Sequence, residues 1–163
     1  MKTSFRFRSK TRRKAREFVK RVTCGLVFVG LCCTGPGMNV RAANYYWDSD
    51  ATAAGNNATT GAGLGGAGTW VTSLANWWDL TNDIVWPNLS DTAIFTGTAG
   101  TVTLGVPIAA GGLTFQSSGY SLTGSTLTLT PATGVASPLI AVNTTGTGTN
   151  VATISSLLAG TSG

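Results

Sequence analysis

The sequence predicts an all-β fold: the start of a right-handed parallel β-helix, a solenoid, behind a tryptophan-rich N-terminal cap. Three observations predict it. First, between Gly100 and Thr130 apolar and hydroxyl residues alternate, as in Val102 and Leu104 against Thr101 and Thr103. Leu113 and Phe115 oppose Thr114 and Gln116, and Leu127 and Leu129 oppose Thr126, Thr128 and Thr130. Successive side chains of a strand face opposite sides, so each segment has one dry and one wet face. Second, segments starting at Thr101, Tyr120 and Leu139 are spaced 19 residues apart in each case. Such a period suits one coil of a stacked repeat. Third, Gly, Pro and Ser divide the segments without the Asn-Gly or Asp-Gly pairs of tight hairpins. A β-sandwich of short hairpins is the alternative.

Taken in order, the chain begins with a leader, residues 1–42. Lys2 to Arg21 is a basic stretch, and Val22–Cys33 is an apolar run of 12 residues. That run suits the core of a signal peptide and is shorter than the about 20 residues a bilayer-spanning helix needs. Gly35, Pro36 and Gly37 break it, and Val40-Arg41-Ala42 places aliphatic and small residues at −3 and −1. Cleavage is therefore expected between Ala42 and Ala43, with the secretion machinery as partner. Arg12-Arg13 reads as part of a plain basic region rather than a twin-arginine signal, since Lys14, Ala15 and Arg16 follow it.

Charge divides at the same place. All 11 Lys and Arg lie at or before Arg41, and the three Cys, both Met and Glu17 are also in the leader. Residues 43–163 keep only Asp48, Asp50, Asp79, Asp83 and Asp91, a formal charge of −5. The basic isoelectric point therefore belongs to the leader, and nucleic-acid binding is excluded for the body. The body is one domain's worth of chain with a modest core.

Residues 43–97 form the cap region. All five Trp fall here, at 47, 70, 77, 78 and 86, around a Gly-rich stretch from Ala51 to Gly68. Gly61, Gly63 and Gly66 fit G-x-G-x-x-G, but no strand–helix unit surrounds them, so the stretch reads as a loop. Neighbouring Trp77 and Trp78 must face opposite sides if they lie on a strand, so that one can be core while the other is a lid or an exposed ring. The main expectation is that the rings cap the end of a β-stack. The functional alternative makes Trp70, Trp77 and Trp78 glycan contacts.

Residues 98–163 form the strand-rich segment. Beyond the opening pattern, Leu139–Val142, Val151–Ile154 and Leu157–Gly160 read as further strands. The end, Ala159 to Gly163, shows no capping sequence, so the stack is expected to be incomplete at that side.

One resemblance is specific. GTW, ANWW, DTAIFTG, TVTLGVPIAAGGLTF and GYSLTGSTLTL occur in that order. Together they resemble the opening of bacterial proteins with autotransporter-associated β-strand repeats, also called passenger-associated transport repeats. The resemblance covers nearly all of residues 45–160. It implies an exported β-helical passenger or stalk at the cell surface or outer membrane, or secreted. It names no catalytic residues, and self-translocation through a C-terminal membrane barrel is not expected of residues 1–163 themselves.

The chemistry available to the body is narrow. Without His, Cys or Lys there is no imidazole-based triad, thiol nucleophile or Schiff base. Asp48 with Asp50, or Asp79 with Asp83, are the only carboxylate pairs for glycoside cleavage. Asp48-Ser49-Asp50 lacks the further ligands of a calcium loop. No catalytic, cofactor or metal site is expected. The sequence thus points to an exported, non-enzymatic structural or adhesive segment, partnered by further repeats or a surface glycan. A carbohydrate-binding module is the alternative and a glycan-cleaving β-helix the least favoured.

Overall fold

The computed structural model describes residues 42–143 and 150–160. The chain divides into two compact units, residues 1–36 and 37–163, and all described residues belong to the second. The leader up to Arg41, with its expected apolar run, lies outside the described residues.

Among the described residues there are 13 strands and no helix. They are β1 Asn44–Trp47, β2 Gly68–Trp70, β3 Trp77–Trp78, β4 Asp83–Ile84, β5 Thr92–Phe95, β6 Thr101–Leu104 and β7 Ile108–Ala110. There follow β8 Gly112–Phe115, β9 Tyr120–Gly124, β10 Leu127–Leu129, β11 Leu139–Val142, β12 Ala152–Ile154 and β13 Leu158–Gly160. The all-β expectation holds.

The strands form three sheets, ordered β11-β8-β5-β1-β3-β4, β12-β9-β6-β2 and β13-β10-β7. From β5 onward the chain visits the first, second and third sheet in turn, three times over. Every pairing within this part is parallel. Antiparallel pairing is confined to β1–β3 and β3–β4.

The alternation read from the sequence sets which side chains turn inward. Val102 and Leu104 are buried while Thr101 and Thr103 are exposed. Register then stacks like on like: Phe95 opposite Phe115, Val102 opposite Leu122, Ile108 opposite Leu127. All six side chains are buried. Each such burial contributes about 1.5–3 kcal/mol. The Phe95 and Phe115 rings lie 4.9 Å apart and nearly parallel, at 15°. On the wet face Thr103 and Thr123 hydroxyls meet at 3.4 Å.

The 19-residue period needs correction. Thr101 and Tyr120 do start strands of one sheet, with Thr101 opposite Ser121. Leu139 starts a strand of another sheet and lies opposite Gly112. The next strand beside Tyr120 begins at Ala152. The true offsets are 19–20 residues for the inner pairs, as in Ile108 with Leu127, and 31 for Leu127 with Leu158. The longer connections, such as 130–138 between β10 and β11, account for the lengthening.

Candidate functional site

The aromatic residues gather at the N-terminal end. Trp47, Trp70, Trp77 and Trp86 are all fully buried or within a per cent of it. Trp77 sits 4.5 Å from Trp86, 4.7 Å from Trp70 and 5.3 Å from Trp47, ring centre to ring centre. Phe95 extends the cluster at 5.7 Å from Trp77, and Phe115 and Tyr120 follow. These tilted and edge-on contacts suit the ring quadrupoles.

The expected glycan contacts are therefore not a surface platform. Trp70 and Trp77 have no exposed ring face on which a sugar could stack. Trp78 is 8% exposed and packs edge-on against Tyr46 at 5.9 Å. The expectation that one of Trp77 and Trp78 would be a lid or an exposed ring is corrected as well. They do face opposite ways along β3, but Tyr46 covers the second face.

This cluster is bounded by polar devices that close the sheet edges. In the first sheet, β3 pairs antiparallel with β1, and β4 pairs antiparallel with β3 as the edge strand. In the third, β7 is the N-terminal edge, and two side chains take the place of a neighbouring strand. Asn88 Oδ1 accepts the Ala109 N–H at 2.6 Å, and Trp86 Nε1 donates to the Ala109 carbonyl at 2.8 Å. Asn88 reaches this position from a left-handed backbone, φ 58°, which Asn tolerates better than most residues. In the second sheet, Asn76 Nδ2 donates to the carbonyl of Thr69, the middle residue of edge strand β2, at 2.9 Å.

The Gly-rich stretch is a loop, as the sequence suggested, tied to the body at its C-terminal side. Gly65 N donates to Trp47 O at 2.9 Å, Ser49 N to Gly65 O at 3.1 Å and Thr98 N to Leu64 O at 3.0 Å. Gly65 has φ 95°, and a Cβ there would overlap Thr98 O and the Tyr120 hydroxyl. That hydroxyl donates to Thr96 O at 2.6 Å, with Thr98 O at 3.0 Å as second partner. Burial pushes the Tyr120 phenol well above its ordinary range.

The aspartates serve the backbone. Asp79 Oδ1 accepts from Thr81 N and Asn82 N at 2.8 and 2.7 Å, and Asp50 Oδ1 from Thr52 N at 2.9 Å. Asp91 Oδ1 accepts from Ala43 N at 2.9 Å. Asp48 is fully buried at the base of the loop, where Asn56 Nδ2 donates to Oδ2 at 2.5 Å and Asp50 N to Oδ1 at 3.3 Å. Its carboxyl is pushed up to about 6, first by desolvation, then by the neighbouring Asp50 and Asp83 against the opposing Asn56 bond. Among the described residues no three acidic, His or Cys side chains are grouped to hold a metal.

At the other end the pattern reverses. Among the described residues no strand lies beyond β11, β12 and β13. Leu139 is 66% exposed and Leu157 69%, and Val142, Val151 and Leu158 are exposed too. The edge clamps at Asn76 and Asn88 carry no sequence signal, because Asn is common in any loop; only the neighbouring strand reveals them.

No family model and no solved structure matches the chain. Over 129 residues it is 49% identical to the adhesin BmaC autotransporter of Brucella suis biovar 1 (strain 1330). The match covers 75% of this chain and 3% of that protein. The chain is thus autotransporter-related and spans only a small fraction of the length of the curated relative it matches.

Proposed function

We propose that residues 43–160 are the capped opening of a right-handed parallel β-helix, exported as a non-enzymatic structural or adhesive passenger segment of a bacterial surface protein. The observation that carries this reading is the three-sheet rotation with one closed end and one open end. Parallel pairing throughout the rotating part favours it over a sandwich of hairpins. Right-handedness is the expected hand for parallel crossovers. Similarity to an adhesin autotransporter supports the surface and adhesive part, and a secreted or outer-membrane location.

The closed end gives the first coils a partner without a preceding coil. The open end offers three parallel edges and an apolar rung to further repeats, the partner this reading expects. The secretion machinery would act on the leader, with cleavage between Ala42 and Ala43. Burial of the tryptophans and the backbone duties of the aspartates weigh against the carbohydrate-binding and glycan-cleaving readings.

The test is to produce the full chain, tagged at its C-terminus, in a bacterial host with an outer membrane. The body is expected outside the inner membrane, free of the leader, and bound by host-cell or matrix surfaces only through the body. Retention of the whole body in the cytoplasm overturns the reading.

A further inference from the structure

Asp91 serves the backbone as a largely buried carboxylate that no basic side chain of the body can meet. Its residue is 9% exposed, just before β5, and Oδ1 accepts a hydrogen bond from Ala43 N at 2.9 Å. Burying a carboxylate is costly unless a cation or several donors meet it. Residues 43–163 contain no Lys, Arg or His. No side chain of the processed body can therefore neutralise Asp91.

The donor that does meet it is the backbone nitrogen at the expected cleavage point. Ala43 is held there by a second bond, from Thr92 N to Ala43 O at 2.8 Å, at the start of the β1–β5 parallel pairing. Asp91 is fixed from the other side by Gly111 N, which donates to its main-chain carbonyl at 2.7 Å. Ala42, Leu89 and Asp91 line an open cavity of about 210 Å³, leaving room for a hydrated charged group beside the carboxylate.

We propose that Asp91 is the built-in counter-ion of the processed N-terminus. Water, delivered by a leader-removing protease, adds its hydroxyl to the Ala42 carbonyl carbon as the Ala42–Ala43 amide bond breaks. The Ala43 nitrogen leaves as an amine and takes up a proton from solvent. The neutral N–H···Asp91 bond thereby becomes an ammonium–carboxylate pair, which is the stronger kind. Processing then locks β1 onto β5 and completes the closed end. This rests on the cleavage reading given above.

The experiment uses the full chain, exported and processed by the host. Intact mass is expected to place the new N-terminus at Ala43. Because residues 43–163 contain no Lys, the α-amine is the single primary amine of the product, and an acetylating reagent reports on it alone. Native protein is expected to react about tenfold slower than urea-unfolded protein, as befits a held, charged amine. Asp91→Asn keeps an acceptor for the N–H but removes the charge. It should lower Tm by roughly 5 °C in the processed chain. In an unprocessed Ala42→Leu chain it should do little. Acetylation should lower Tm in the wild type and add nothing in Asp91→Asn.

Equal native and unfolded amine reactivity overturns the ion pair. So does an Asp91→Asn effect of the same size in processed and unprocessed chains, which would make Asp91 a mere hydrogen-bond acceptor. An N-terminus elsewhere than Ala43 overturns the cleavage reading itself, and the pair with it.

Discussion

Ala109, at the N-terminal edge of its sheet, has its N–H bound by Asn88 and its carbonyl by the Trp86 indole. Leu158, at the opposite edge of the same sheet, is half exposed, and its neighbour Leu157 is 69% exposed. The two edges are made of similar strands. They differ in what lies beside them: the Trp86 indole and the Asn88 amide at one edge and, among the described residues, no further strand at the other. Unpaired strand edges recruit further strands. Among the described residues one edge of this sheet is met by side chains and the other is not.

The largest way to break this contrast is to remove the aromatic anchor. Trp77→Ala empties the centre of the Trp70–Trp86–Phe95 cluster and should cost about 3–5 kcal/mol. Leu157→Ala, at an equally apolar but exposed site, should stay within about 0.5 kcal/mol. Urea unfolding followed by circular dichroism measures both. A comparable loss at the two sites would erase the distinction between a sealed and an open end.

A second test removes one oxygen. Tyr120→Phe removes the hydroxyl donor of Thr96 O, while Thr98 O keeps the Gly66 N–H, and should cost about 1–3 kcal/mol. Retained stability would mean that the hydroxyl does not staple the loop junction to the strands.

Acidity gives a third, through Asp48 beneath the Gly-rich loop. Its folded value of about 6 lies above the ordinary carboxylate value of 3.8. The folded state therefore binds the proton more tightly than the unfolded state. Stability should be lowest above pH 6 and should rise as pH falls from about 7 towards 4, by on the order of 1–2 kcal/mol. Asp48→Asn should raise stability at pH 7.5 and flatten the profile. A profile that falls with acid, unchanged in Asp48→Asn, would contradict the buried carboxylate.

The smallest expected effect sharpens the comparison. Asn88→Ala removes the side-chain substitute for a strand beside Ala109 and should cost about 1 kcal/mol. Asn57→Ala breaks only exposed loop bonds to Thr59 and Thr60 and should cost less. The same melts rank the pair, and an Asn57 effect exceeding that of Asn88 reverses the assignment of the clamp.

How far the fold was legible follows from where patterning acts. Thr101–Leu104 and Leu113 with Phe115 were readable because one buried face imposes strict alternation. Ile108–Ala110 is not legible as a strand: three consecutive apolar residues after a proline carry no alternation, yet Ile108 and Ala110 are both buried. The apparent period misled because insertions lengthen the later connections, placing Leu139 in a different sheet from Tyr120. The Trp cap was legible as a cluster of large residues. Its closure was not, because Tyr46 over Trp78 and Asn76 on Thr69 depend on neighbours distant in sequence.

The most direct test of one closed and one open end is amide hydrogen exchange resolved by residue. The Ala109 amide, though on an edge strand, should exchange as slowly as amides in β8 and β9, while β12 and β13 should exchange far faster. Fast exchange at Ala109, or protection of β12 and β13 equal to that of β8 and β9, would contradict it.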